Sequence, residues 1–246
     1  MKYPIRINKY LAEEKHSTRR GADEMISKGM VFVNGELAKL GQLVEERDKV
    51  EVRYRAGTIK KSIYLAYNKP RGIVTHSAGV GEEDIKDRVK IEGIFPVGRL
   101  DKDSNGLIIL TNDGRVTKRL LSPEFYHEKE YIVTTKEKLR ANFKQKMEDG
   151  VRIGADKTRP CEVEILGDKK FKIILTEGKN RQIRRMCAAV FQEVETLRRV
   201  RVMNVEIGNL KEGEHRNIEG EELDILLRSL GLKDTEPGHS NTNSSM

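Results

Sequence analysis

The chain has 246 residues, 37% of them hydrophobic, and carries 47 lysines and arginines against 39 acids, for a net charge of +8. That length allows one sizeable domain and a small one. The longest apolar run, Met186 to Phe191, falls far short of the roughly 20 residues a membrane helix needs, and Met1-Lys2-Tyr3-Pro4-Ile5-Arg6 lacks the apolar core of a secretory signal, so a cytoplasmic protein is expected.

Cys161 and Cys187 are too few and too far apart for a disulfide framework or a paired zinc site. His16, His76, His127, His215 and His239 are scattered, so no metal is expected. The positive balance favours a polyanion as partner, because lysines and arginines release counterions condensed on phosphates. Solubility alone would also explain it.

Residues 5 to 52 read as a compact module, two short helices and then short strands. Ile7, Tyr10 and Leu11 share one face of the first helix. The second begins near Ser17 or Thr18, buries Ala22, Met25 and Ile26, and stops at Gly29, a natural C-cap. In Val31-Phe32-Val33-Asn34-Gly35-Glu36-Leu37, the Asn-Gly pair between apolar residues predicts a tight hairpin turn. Val50 and Val52 alternate with charges as a closing strand. Arg6, Lys9, Lys15, Arg19, Arg20 and Lys28 decorate the helices, diluted by Glu13, Glu14, Asp23 and Glu24, and a solvated helical face accounts for them as well as RNA contact does.

Weak periodicity from Arg53 to Ser62 marks a linker, giving a module over 1–53, a linker over 54–62 and a second domain over 63–232. Strands are predicted at Tyr64-Leu65-Ala66-Tyr67, Ile73-Val74-Thr75, Tyr131-Ile132-Val133, Val163-Glu164-Ile165 and Phe171 to Leu175. One helix carries Leu139, Phe143 and Met147, and a last one carries Leu223, Leu226, Leu227 and Leu230. Short turns such as Gly167-Asp168 argue for a mixed, mostly antiparallel sheet and an α+β class. Residues 233–246 have no aliphatic residue before the final methionine and are expected to be a disordered tail.

The most informative stretch runs from Val97 to Gly114, a polar, glycine-bounded loop feeding the most apolar strand of the domain. Loops held by a rigid strand commonly carry working side chains. On residue types alone, Asp101 and Asp103 read equally as turn formers. Further along, Asn180 is placed to cap a helix with the stripe Ile183, Met186, Cys187 and Val190, leaving Arg181, Arg184 and Arg185 on the adjoining face.

"RINKYLAEEKHSTRRGADEMISKGMVFVNGE" resembles the S4 RNA-binding domain, and "GRLDKDSNGLIILTNDG" resembles the signature loop of pseudouridine synthases. Together they resemble the RsuA/RluB/RluE/RluF group, which modifies ribosomal RNA without a guide RNA. The resemblance runs from about Ile5 to Leu232, and the segments His127–Tyr131 and Glu177–Met186 lie nearest the RluF branch.

The resemblance implies an S4-type module followed by a pseudouridine synthase domain, with Asp101 as nucleophile and Asp103 as a local hydrogen-bonding residue. It implies that Arg184 pairs with Asp101, that Arg181 and Arg185 meet RNA, and that Tyr131 lies against the target uracil. Lys129, two residues earlier on the same strand face, either supports the pocket or sits on the surface. Lys69 and Pro70 resemble the family's first motif and shape the pocket floor, and Leu197 packs beside the base or in the core. Arg99, with Arg198, Arg199 and Arg201, is expected along the RNA path, and Arg6, Lys9, Arg19 and Arg20 on the S4 surface.

The implied activity is isomerisation of a uridine in ribosomal RNA, with large-subunit 23S RNA preferred and transfer RNA left open as a second substrate. No cofactor is expected, since the reaction involves no redox change, and a monomer is the simplest state. Two rivals remain at this point: a binding-only S4 protein, and a hydrolase using Asp101 and Asp103 as a carboxylate pair.

Overall fold

The computed structural model describes residues 3–14, 19–53, 62–76 and 78–232, the Arg20 side chain excepted. The expected linker, Ser62 apart, and the expected tail lie outside the described residues, as does the predicted start of the second helix at Ser17 or Thr18.

The N-terminal module runs β1 (Ile5–Arg6), α1 (Ile7–Glu13), α2 (Arg19–Ser27), β2 (Val31–Val33), β3 (Glu36–Leu37), β4 (Leu43–Val44) and β5 (Val50–Val52). Ile7 and Leu11 stand one turn apart on α1, as do Ala22 and Ile26 on α2, and these four fill the core between the helices. Gly29 ends α2 at φ 67°, where a side chain would be strained. Asn34 and Gly35 both take positive φ, as the predicted tight turn requires, and join β2 to β3. The β1–β4 ladder, two residues on each side, is too short to leave a readable pattern in the sequence.

The second domain contains β6 (Tyr64–Lys69), α3 (Ile85–Arg88), β7 (Phe95–Val97), β8 (Asn105–Thr111), α4 (Gly114–Leu121), β9 (Lys129–Thr135), α5 (Phe143–Glu148), β10 (Arg152–Ile153), β11 (Asp156–Lys157), β12 (Glu162–Gly167), β13 (Lys170–Leu175), α6 (Gln182–Ala189), β14 (Val194–Val202), β15 (Val205–Glu206), β16 (His215–Asn217) and α7 (Gly220–Ser229). Its main sheet has the order β12-β13-β9-β14-β8-β6-β16, with β7 on β8 and β15 on β14. Within it the β14–β8 pair is parallel and every other pair is antiparallel, the expected mixed sheet.

The centre of β8, Leu107 to Leu110, is apolar because both its faces are covered. Leu107 and Ile109 pack with α4 and α7, whereas Ile108 and Leu110 pack with β6 and α3. A third core, with Phe143, Phe171, Ile183 and Met186, backs β9, β13 and β14. No helix among the described residues is long and apolar enough to cross a membrane.

Three local expectations are corrected. Ile73 to Thr75 is not a strand: Val74 makes only an isolated bridge to Asp84, and Thr75 is buried because its hydroxyl bonds the Leu100 backbone. Leu139 lies outside α5, because Asn142 adopts a left-handed conformation and the helix starts only at Phe143. Asn180 does not cap α6; Arg181 holds that position at φ 47°.

Candidate active site

Residues 98–104 connect β7 to β8, and several side chains pin them from below. Lys69, at the end of β6, is wholly buried and donates to the carbonyls of Pro70 at 2.8 Å and Ser104 at 2.9 Å. Thr75 Oγ1 donates to the Leu100 carbonyl at 2.7 Å and accepts from its N–H at 3.0 Å. The Lys102 carbonyl accepts from Gly72 N–H, and the Asp101 carbonyl from Ser104 N–H, closing the turn. Each such bond adds about 1 kcal/mol, so together they fix the loop firmly.

Gly106 sets the loop against its neighbour strand. It lies opposite Arg199 in the parallel β8–β14 pair at φ 110°, and a Cβ there would stand 2.2 Å from the Arg199 carbonyl oxygen. Only glycine permits that approach.

Held this way, the half-buried Asp101 carboxylate opens into a cavity of about 440 Å³, a size typical of small-molecule sites. Strand alternation supplies the facing wall. Tyr131 lies opposite Arg199 and Val133 opposite Leu197 in the β9–β14 register, so Lys129, Tyr131, Leu197 and Arg199 all point to the cavity face. Leu197 is 7% exposed and belongs to the core as well as to the lining.

α6 supplies the cations. Arg181 Nη1 stands 3.5 Å from Asp101 Oδ2 and 3.9 Å from Asp103 Oδ2. Its position is prepared by buried Glu177, which accepts from Gln182 Nε2 at 2.7 Å and Arg159 N–H at 3.0 Å, while the Gln182 side-chain oxygen accepts from Lys179 N–H. Arg184 donates instead to the backbone carbonyls of Asp103 at 3.2 Å and Val194 at 3.3 Å. The expected pairing is thereby exchanged: Arg181 makes the ion pair, and Arg184 buttresses the loop behind it. The exchange arises because Arg181, just before the helix, swings over the cavity, whereas Arg184 is tucked between α6 and β14.

Two lysines of the site are electrostatically unusual. Burial lowers Lys69 to about 8, an effect partly opposed by Asp101, Glu212 and Asp103. Burial also lowers Lys129 to about 8, helped by the adjacent Arg199 charge. Lys129 Nζ donates to the His127 carbonyl at 3.1 Å, and Arg199, 4% exposed, donates through Nε to the Leu107 carbonyl at 2.6 Å. The cavity therefore presents Asp101 and Arg181 on one side and two desolvated cations on the other.

Of the other candidates, Arg99 is exposed and lines the cavity. Lys69 is sealed inside and cannot reach RNA in this conformation. Arg185 donates to the Ile153 carbonyl at 2.7 Å, which ties α6 to β10 rather than leaving that group free. Arg201 pairs with Glu128 and Glu130, and Arg198 is exposed away from the lining. On the module, Arg6 and Arg19 are exposed, Lys9 lies 3.7 Å from Glu13, and the Arg20 side chain is outside the described residues. Sequence reasoning missed Glu177, Gln182 and Thr75, polar residues whose roles depend on burial. It also missed the approach of Lys129 to Arg199, which only the β9–β14 register reveals.

The chain is similar to known proteins over both of its parts. Residues 63–189 match the RNA pseudouridylate synthase family, and residues 5–50 match the S4 domain. The dual-specificity RNA pseudouridine synthase RluF of Escherichia coli (strain K12) is 38% identical over 236 residues, spanning 94% of this chain and 81% of that one. Ribosomal large subunit pseudouridine synthase B of Bacillus subtilis (strain 168) is 32% identical over 231 residues, spanning 90% of this chain and 95% of that one. A crystal structure of a pseudouridylate synthase superposes with a TM-score of 0.68 at 29% identity, over 90% of this chain and 99% of that one.

Proposed function

The chain belongs to the RNA pseudouridylate synthase family, and from that premise we propose that it converts a uridine to pseudouridine in ribosomal RNA of the large subunit, with Asp101 as nucleophile. The observation that carries this reading is the Asp101 carboxylate, 3.5 Å from Arg181 at the mouth of a 440 Å³ cavity walled by Tyr131 and Leu197. The large subunit is favoured by the similarity to the Bacillus subtilis enzyme named for it.

The reaction breaks the bond between ribose C1′ and uracil N1, turns the base, joins C1′ to C5, releases the C5 proton and leaves a proton on N1 in its place. A stacked uridine does not expose C1′ to a side chain, so the base must leave the helix, at a cost of a few kcal/mol. Tyr131 and Leu197 offer the flipped ring an aromatic face and an apolar one. Asp101, paired with Arg181, meets the ribose or the ring edge as a nucleophile that needs no cofactor.

Cleavage at N1 leaves negative charge on the uracil, spread over its carbonyl oxygens. Lys129 and Arg199 are fixed and desolvated beforehand, so they stabilise that charge without reorganising. The S4 module grips a neighbouring RNA helix through its phosphates. We assign the reaction to the cytoplasm and to a monomer.

The test is release of tritium from large-subunit RNA labelled at uracil C5, with carbodiimide-dependent primer extension to locate the product. Release with a retained, isomerised base is expected. No release from large-subunit, small-subunit or transfer RNA would contradict the reading.

A further inference from the structure

Between the catalytic cavity and the N-terminal module lies a ridge that the reaction leaves unused. After α4, Pro123–Phe125 form a single 3-10 turn, and Tyr126 follows at φ 53°, ψ 33° before the chain enters β9. A left-handed conformation is uncommon for a large side chain and costs on the order of 1 kcal/mol or more. The two aromatics it displays are nonetheless turned outward: Phe125 is 42% exposed and Tyr126 59%.

Cations and a second ring brace them. Arg159 lies 4.2 Å from the Tyr126 ring centroid and is held there by the Pro123 carbonyl at 3.0 Å. Phe125 stacks on His127 with ring centroids 5.7 Å apart, and Arg119 lies 5.4 Å from its ring. The faces of Phe125 are thus engaged, while Tyr126 has one cation against it and most of its ring open.

We propose that this ridge is a stacking platform for unpaired bases next to the target uridine, with Tyr126 as the principal contact. The proposal rests on the reading of the substrate as RNA. Two observations select that occupant. Leu121, Ser122 and Pro123 line the catalytic cavity, so the ridge continues from it, and Ser122, Glu124 and Phe125 line the cleft facing the N-terminal module. That cleft brings Lys9 and Arg19 of the module opposite Lys118 and Arg119 of α4, which complements a phosphate backbone. Phe125 lines that cleft, whose cations outnumber its acids Glu13 and Glu124, and Tyr126 follows it directly in the chain; exposed rings edged by arginines beside a basic cleft suit single-stranded nucleic acid, since every base offers a π-face.

The probes are a 12-nucleotide oligouridylate and a 12-base-pair RNA duplex, with the full-length protein. Tyr126→Gly removes the ring at a position where glycine is unstrained, so an unchanged melting temperature is expected beside the weakened binding. Its affinity for the oligouridylate is expected to fall about 5-fold to 100-fold, with duplex affinity within twofold of wild type. Because the chain has no tryptophan, Tyr126→Trp installs a single indole reporter whose fluorescence is quenched by the oligouridylate and not by the duplex.

Wild-type affinity in Tyr126→Gly, together with unquenched indole fluorescence in Tyr126→Trp, overturns the platform even if tritium release proceeds. Selective weakening and quenching in a protein that releases no tritium would keep the platform and overturn the isomerase reading instead.

Discussion

Arg181 and Asp101 form the ion pair of the cavity, Nη1 to Oδ2 at 3.5 Å, while Arg184 reaches the same loop only through the Asp103 carbonyl. The two arginines therefore do different work. Arg181→Met removes charge from an exposed side chain: kcat is expected to fall by about 10²-fold with stability within about 0.5 kcal/mol of wild type. Arg184→Met removes two bonds to backbone carbonyls, so it lowers the unfolding free energy by about 1–3 kcal/mol as well as lowering kcat. Urea denaturation beside tritium-release kinetics separates them, and equal stability losses in both variants would contradict the division.

Lys129 gives the reaction an alkaline limb. Its ammonium, lowered by burial to about 8, loses its charge as pH rises through that value, and kcat/KM is expected to fall with it. Arg stays charged, so Lys129→Arg moves the limb upward. Stability runs the other way. The unfolded chain binds more protons between about 8 and the ordinary lysine value of 10.5, so the penalty of burying Lys129 and Lys69 charged is full below pH 8 and is relieved as pH climbs through that window. A pH–rate profile of Lys129→Arg that superposes on wild type would remove Lys129 from the chemistry.

Gly106 tests whether the loop depends on close strand packing. In Gly106→Ala the new Cβ would meet the Arg199 backbone, and β8 would have to part from β14. A loss of about 3 kcal/mol or more is expected. Gly167→Ala has nothing within 4 Å of its Cβ and serves as the control, within about 0.5 kcal/mol of wild type. Indistinguishable denaturation midpoints for the two variants would rule out the clash.

Lys9 and Arg19 face Lys118 and Arg119 across the cleft beneath the N-terminal module. If the module grips phosphates there, Lys9→Gln with Arg19→Gln flattens the plot of log affinity against log salt, by about 0.7–0.9 for each phosphate no longer neutralised. An unchanged slope in fluorescence anisotropy titrations would place the module's RNA-binding face elsewhere.

Most of the architecture is legible in the residues because the relevant signals are local. Ile7 with Leu11, Ala22 with Ile26 and the Leu226, Leu227, Leu230 stripe announce helices, and Asn34-Gly35 announces its hairpin. The apolar run Leu107 to Leu110 of β8 marks the centre of the sheet. The sequence also isolates the loop that carries Asp101. It does not reveal which arginine meets that carboxylate, because Arg181 and Arg184 differ by three residues and their division depends on the left-handed backbone at Arg181. Thr75 looks like a strand residue until its bonds to Leu100 are seen. Lys69 resembles a surface lysine by type alone, and only its burial under Ser104 shows that it fastens the loop.

The central claim is that Asp101 performs the chemistry and does not merely form a turn. Asp101→Asn preserves size and one accepting oxygen while removing the charge. It is expected to lower tritium release on the order of 10³-fold or more, with RNA affinity within about threefold of wild type. Release at the wild-type rate from Asp101→Asn, with the RNA bound normally, would contradict the account.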